Sequence, residues 1–157
     1  VSDTIALPRI GDTVHAPDGV LHRVLGVDRK GTSEYAANGE ITWHAVLEIA
    51  PAADVDQRIR DGLGLGRRWT VPASWVTVPL GATDRRTCWH SEDGGPSELL
   101  TAGGVPLARV GRFANAWAGF DHRDDMLTDG HRTAADARKA TEQHAAVASF
   151  PYWGHGR

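Results

Sequence analysis

The chain has 157 residues, 41% of them hydrophobic and 24% charged, enough to build the core of one ordinary domain or of two small ones. That balance excludes a disordered or collagen-like chain, and no apolar run reaches the roughly 18 to 20 residues that a bilayer-spanning helix needs. The formal charge of −3 excludes a protein that holds nucleic acid through bulk positive charge, leaving only a local basic patch for that purpose.

Residues 11–15 and 18–27 read as two strands, with β-branched residues on either side of the Pro17-Asp18-Gly19 turn. Residues 28–40 are polar and punctuated by glycine. From Ile41 the sequence alternates with period two, which puts Ile41, Trp43, Ala45, Leu47 and Ile49 on one core-facing side. Pro51 ends that strand. Asp54-x-x-Gln57 has the form of a capping box, and Val55, Ile59 and Leu63 recur four apart, so a short helix is predicted up to Gly62. A glycine-rich hinge over 62–66 then leads into a strand from Arg67, a one-turn break at Pro72-Ala73-Ser74, and a closing strand with Trp75 turned inward.

Gly11-Asp12-Thr13-Val14, the long third strand and the segment Trp69-Thr70-Val71-Pro72-Ala73-Ser74-Trp75-Val76 resemble an SH3-like small barrel over about residues 8–79. Val71-Pro72-Ala73-Ser74-Trp75-Val76 is similar in form to the closing segment of true SH3 domains, whose proline and aromatic help bind proline-rich peptides. The acidic, tyrosine-rich first loop of that family has no counterpart here. The resemblance implies a binding module, and because such barrels also occur as nucleic-acid and ribosome-associated modules, it does not choose the partner.

The stretch 81–96 reads as a connector that includes one edge strand at Thr87-Cys88-Trp89. Glu98-Leu99-Leu100 and residues 105–110 flank Thr101-Ala102-Gly103-Gly104, a hairpin signal. Residues 113–120 are expected as a strand after Gly111, and Met126-Leu127-Thr128 as another beyond the polar turn 121–125. The clearest helix covers 134–149, with Thr133-x-x-Asp136 as its cap and Ala137, Ala140, His144 and Val147 or Ala148 on one stripe. Alanines on that stripe permit a close approach to the sheet, with Phe113, Trp117 or Phe120 supplying bulk. The order of strands and helix, between residues 111–117 and 133–138, is similar to the arm-binding domain of phage-type integrases and to antitoxins of the HicB kind. The expected fold class is α+β, mainly β: an SH3-like barrel over 1–80, a connector over 81–96, and a small antiparallel sheet packed on one C-terminal helix over 97–157. Trp43, Trp75 and Trp117 are predicted to lie in the core, while the aromatic tail 150–155 either folds back over the sheet or docks a partner.

Arg58, Arg60, Arg67 and Arg68 beside Trp69 form the best patch for nucleic acid, since arginine forks bind phosphate oxygens and an indole stacks on bases. Asp54, Asp56 and Asp61 lie in the same stretch and offer these arginines an alternative, pairing on a solvated helix. The run 62–66 lacks the Lys-Ser/Thr of a phosphate loop. Asp121, His122, Asp125 and His131 concentrate possible metal ligands, yet the chain contains neither Cys-x-x-Cys nor His-Glu-x-x-His, and the expectation is a solvated hairpin tip. Cys88 and His90 share a strand face, where the cysteine is expected to be buried and structural.

A lone cysteine cannot form an internal disulfide, and the first residues carry no basic region followed by an apolar core, so a cytoplasmic location without membrane attachment is expected. The seventeen basic residues include just two lysines, Lys30 and Lys139, a coding bias that points to a bacterium or phage. The expected function is a non-enzymatic binding or regulatory protein without a cofactor, contacting nucleic acid through the arginine cluster or, as the alternative, acting as a protein-partner binding or inhibitor module. A metal-dependent hydrolase using Asp121, His122, Asp125 and His131 is the rival.

Overall fold

The computed structural model describes residues 8–32, 42–79, 86–92 and 95–148, with side chains at all of these except 29–32, 42–44 and 145–148. It is mainly β, with two antiparallel sheets and two α-helices among the described residues, none of the helices long and apolar enough to cross a membrane. The chain divides into two compact units between Thr83 and Asp84. The side chains of Ile41 and Trp43, and the tail 150–155, lie outside the described residues.

The first unit is a sheet in the order β1 (Thr13–His15), β2 (Leu21–Thr32), β3 (Thr42–Pro51), β4 (Trp69–Pro72). Its first turn is built by the predicted residues: Gly19 takes φ +82°, and Asp18 Oδ1 accepts the Val20 N–H at 2.9 Å. β2 runs on past Val27 into the polar stretch, because β3 pairs with it all the way from His22↔Pro51 to Thr32↔Thr42. A bulge at Leu25 bends that long ladder. The register places Val14, Val24, Val27, Leu47, Ile49 and Val71 on one face, all with 1% exposure or less. Each contributes about 1.5–3 kcal/mol by leaving water. Ala45, on the same predicted stripe, is half-buried.

Helix α1 (Ala52–Arg60) begins directly after Pro51, so Asp54 lies inside its first turn and no side chain caps it. The capping box predicted from Asp54 and Gln57 is therefore not formed; Asp54 pairs instead with Arg58 one turn on. The helix ends as expected: Gly62 adopts φ +69°, its N–H bonds Ile59 O at 3.2 Å, and the Leu63 N–H bonds Arg58 O at 2.9 Å. Val55 is fully buried, but Leu63, lying beyond that cap, is exposed.

A 3₁₀ turn, Ala73–Trp75, follows β4. Trp75 is not buried: with three residues per turn it is Ala73 that points inward, at 8% exposure, and Trp75 is left 59% exposed. The predicted closing strand is reduced to one bridge, in which the His15 N–H donates to Thr77 O at 2.7 Å and the Thr77 N–H to His15 O at 3.1 Å. The sheet is thus not closed into a continuous barrel.

The second unit is a meander, β5 (Thr87–Ser91), β6 (Glu98–Ala102), β7 (Val105–Phe113), β8 (Ala116–Asp121), β9 (Met126–His131), with each strand beside the next. Gly103 and Gly104 make the predicted tight turn at φ +56° and +86°. The expected strand over 113–120 is instead split by a second tight turn at Ala114 and Asn115, both at positive φ, so Phe113 ends β7 and pairs with Ala116.

Helix α2 (Ala134–Ala148) packs against β7, β8 and β9. Thr133 caps it as predicted, its Oγ1 accepting the Asp136 N–H at 3.1 Å. Ala137 and Thr141 are fully buried beneath the helix, whereas His144 is exposed and does not belong to the packed stripe. The approach is close: a Cβ built on Gly119 would stand 1.8 Å from Thr141 Oγ1. Trp117 is half-buried with the Arg112 guanidinium 5.7 Å from its ring centroid, so it is not the core residue predicted. By register Phe113 and Phe120 lie on the face opposite α2, edge to face with each other at 6.4 Å.

Two outcomes follow in urea unfolding. Gly119→Ala should destabilise the protein by about 1–3 kcal/mol through overpacking, and adding Thr141→Ala should restore part of that loss. Trp75→Phe should stay within about 0.5 kcal/mol of the parent, as an exposed substitution does.

Candidate functional site

β4 leaves the glycine-rich loop at Trp69, which pairs with Ile49 on the core face but sits at the sheet margin and remains 38% exposed. Its ring and the His22 imidazole meet in a T-shaped arrangement, centroids 5.8 Å apart and planes at 63°. His22 is buried at 3% exposure; its Nδ1 donates to Val20 O at 3.0 Å and its Nε2 lies 3.7 Å from Asp18. The indole is therefore held on one side by a fixed ring and is partly open to solvent.

The structure sorts the four arginines into different roles. Arg58 is built into its own loop: Nε donates to Asp54 Oδ2 at 3.1 Å and Nη1 to Gly64 O at 3.1 Å, and a Cβ on Gly66 would stand 3.1 Å from its guanidinium carbon. Arg60 is exposed and donates to Gln57 Oε1 at 2.8 Å, while Gln57 in turn holds both oxygens of Asp61. Arg68 reaches across to Glu48 on β3 at 2.7 Å with its side chain still 40% exposed. Arg67 is exposed and makes no hydrogen bond or ion pair among the described residues. Asp56 faces away from the group, 4.0 Å from Arg23. The paired arrangement weighed from sequence thus describes Arg58, and the patch beside Trp69 reduces to Arg67, with Arg60 and Arg68 partly engaged.

At the acidic hairpin tip Asp121 and His131 use ligating atoms internally, while the buried Nε2 of His122 makes no hydrogen bond among the described residues. Asp121, 6% exposed, accepts the N–H groups of Arg123 and Asp125 on Oδ1 at 2.8 and 2.9 Å, and His131 Nε2 lies 2.6 Å from Thr128 Oγ1. Among the described residues no three His, Cys, Asp or Glu side chains converge as a metal would require. Cys88, expected to be buried, is exposed because β5 is an edge strand with sheet on one side only; His90 Nε2 contacts Thr101 Oγ1 at 3.2 Å.

Sequence reasoning missed the strongest charge cluster. Arg109 on β7 holds Glu92 with both Nε (2.7 Å) and Nη2 (3.3 Å), and also pairs with Asp124. The Glu92 hydrogen bond, helped by both carboxylate charges, raises the guanidinium pKa above its ordinary value despite the opposing cost of burial. The partners lie far apart in sequence, and no local spacing signals them. Arg138–Glu98 and Trp89 Nε1–Glu142 Oε2 (2.6 Å) tie α2 to the sheet in the same non-local way.

Fold and surface together describe an all-antiparallel scaffold with exposed aromatic and arginine side chains on its margins. No protein-family model matches the chain, and no curated protein and no solved structure matches it either.

Arg58→Ala should lower stability by about 0.5–1.5 kcal/mol, the worth of a typical net hydrogen bond, with Arg67→Ala unchanged. Chemical denaturation of the two variants side by side checks the division of roles.

Proposed function

We propose that the chain is a non-enzymatic binding protein whose first unit is an SH3-like module and whose contact surface is the margin around Trp69, with single-stranded nucleic acid as the partner. The module reading draws support from the order of four meandering strands, a 3₁₀ turn, and a return to β1 through the reciprocal His15–Thr77 hydrogen bonds. The observation that carries the partner is the half-open Trp69 indole two residues from Arg67, a cation with no described partner. An indole held at a fixed angle is a stacking platform for an unpaired base, and a neighbouring guanidinium forks onto the adjoining phosphate. Acidic side chains nearby are engaged by Arg58, Arg68 and Gln57, which lessens repulsion of a phosphate chain. The exposed Cys88 suits a reducing compartment, and a cytoplasmic setting in a bacterium or phage accords with that chemistry.

A protein partner is the second reading, favoured by one observation: Trp75, 59% exposed on the 3₁₀ turn after Pro72, is a large apolar surface in a site where a partner can reach it.

Fluorescence anisotropy with a labelled single-stranded oligonucleotide separates the two. Trp69→Ala should cost about 1–3 kcal/mol of binding, Arg67→Ala should flatten the salt dependence by about 0.7 in log–log slope, and Trp75→Ala should have no effect. An absence of binding at low salt would reject the nucleic-acid partner and leave the protein partner in front.

A further inference from the structure

Beside the Trp69 indole lies a histidine whose two ring nitrogens meet the same kind of group, an acceptor. His22 pairs with Val14 on β1 and with Pro51 on β3 and is 3% exposed. Its Nδ1 stands 3.0 Å from Val20 O. A carbonyl oxygen only accepts, so Nδ1 carries the proton and the neutral ring is left with a bare lone pair on Nε2. That lone pair faces a carboxylate: Asp18 Oδ2 is 3.7 Å away, beyond hydrogen-bond range and with no proton between the two atoms. Asp18 is held in place by its own turn, where Oδ1 accepts the Val20 N–H at 2.9 Å. One residue thus fixes both partners, Val20 holding the carboxylate with its N–H and the imidazole with its C=O.

Among the described residues Asp18 is the one acidic side chain in ion-pair range of His22. The strands around the ring present Val14, Pro51 and Trp69, none of which titrates near an imidazole. His15 and Arg23 alternate onto the other face of the sheet, where Arg23 lies 4.0 Å from Asp56 of α1. Asp54, in the first turn of α1, pairs with Arg58, and Asp12, two residues before Val14, accepts the Arg9 N–H on Oδ2 at 2.9 Å.

We propose that His22 and Asp18 form a proton-sensitive switch that acts on Trp69, a regulation whose use rests on the contact surface proposed above. Proton uptake at Nε2 supplies the missing donor and draws the imidazolium and the carboxylate into a hydrogen-bonded ion pair. The proton comes from solvent, to which the Asp18 side chain is 46% exposed. The T-shaped contact carries the change to the indole, because a ring drawn toward Asp18 shifts against Trp69 and sets a cation beside it. In the deprotonated state the margin carries the uncompensated charge of Asp18; in the protonated state the pair is neutral. A phosphate chain arriving at Trp69 therefore meets one negative charge fewer at low pH.

The fluorescence of Trp69, taken as the difference between the parent and Trp69→Phe, tests this without ligand between about pH 8 and about pH 5, the span over which an imidazole exchanges its proton. An imidazolium in contact with an indole quenches its emission, so the difference signal should fall reversibly on acidification. The fall should be lost in His22→Gln, which still donates to Val20 O but takes up no proton. It should be diminished in Asp18→Asn, whose amide gives the neutral Nε2 a donor and the imidazolium no counter-charge. Asp18 is exposed, so that variant decides the matter if His22→Gln fails to fold. A labelled single-stranded oligonucleotide should bind the parent a few-fold more tightly at the lower pH and folded His22→Gln alike at both. A difference signal that ignores pH, a fall unchanged in folded His22→Gln or in Asp18→Asn, or an oligonucleotide affinity independent of pH would each overturn the proposal. Absence of oligonucleotide binding at either pH would reject the contact surface instead, and the ligand-free fluorescence would still decide the switch.

Discussion

Each sheet of this chain must hide one face from water, and each has few large side chains with which to do it. The first solves the problem by bending. Val14, Val24, Val27, Leu47, Ile49 and Val71 line one face of a sheet curled by the bulge at Leu25, so that short β-branched and aliphatic groups meet one another. The second solves it by closeness, with Thr141 of α2 set directly over the bare backbone of Gly119. Curvature in one case and contact distance in the other replace bulk, and both leave the large aromatics free to sit at the margins. Trp69, Trp75 and Phe113 are all more than a third exposed.

That allocation gives the surface its character. Ion pairs do much of the fastening between elements: Arg68 to β3, Arg109 to Glu92 and Asp124, and Arg138 to Glu98. A partly exposed pair of this kind adds little to stability, but it directs side chains and limits which cations remain available. Arg67 stands out near Trp69 because its neighbours in sequence are already engaged.

The sequence was most readable where local chemistry dictates the backbone. Gly103-Gly104, the Gly62 helix stop and the Thr133 cap each follow from a residue whose conformational or hydrogen-bonding need is met in place. It was opaque where the fold overrides such rules. Ala114 at φ +53° is no turn residue by preference, and the tight pairing on both sides of it imposes the turn, so one expected strand becomes two. Trp75 was misread because the predicted break ended at Ser74 with a strand starting at Trp75, whereas the 3₁₀ turn runs on through Trp75 and only one bridge, at Thr77, follows it. The candidate site was half legible. Arginines and an indole in one stretch were visible, but which of them are consumed by Asp54, Gly64 O and Glu48 depends on how the loop folds over α1. The Arg109 cluster was not visible at all, since its members meet only through sheet register.

The reciprocal bonds between His15 and Thr77 join the two ends of nearly the whole first unit, whereas every strand pair of the second unit joins chain neighbours. Folding speed follows how far along the chain the contacting residues lie, because loop entropy is lost before a distant contact can repay it. The strand pairs of the second unit therefore close short loops only. In the first unit, the bridge between β1 and the chain beyond the 3₁₀ turn closes a longer loop than any strand pair described there, so it carries the largest loop-closure entropy of that sheet.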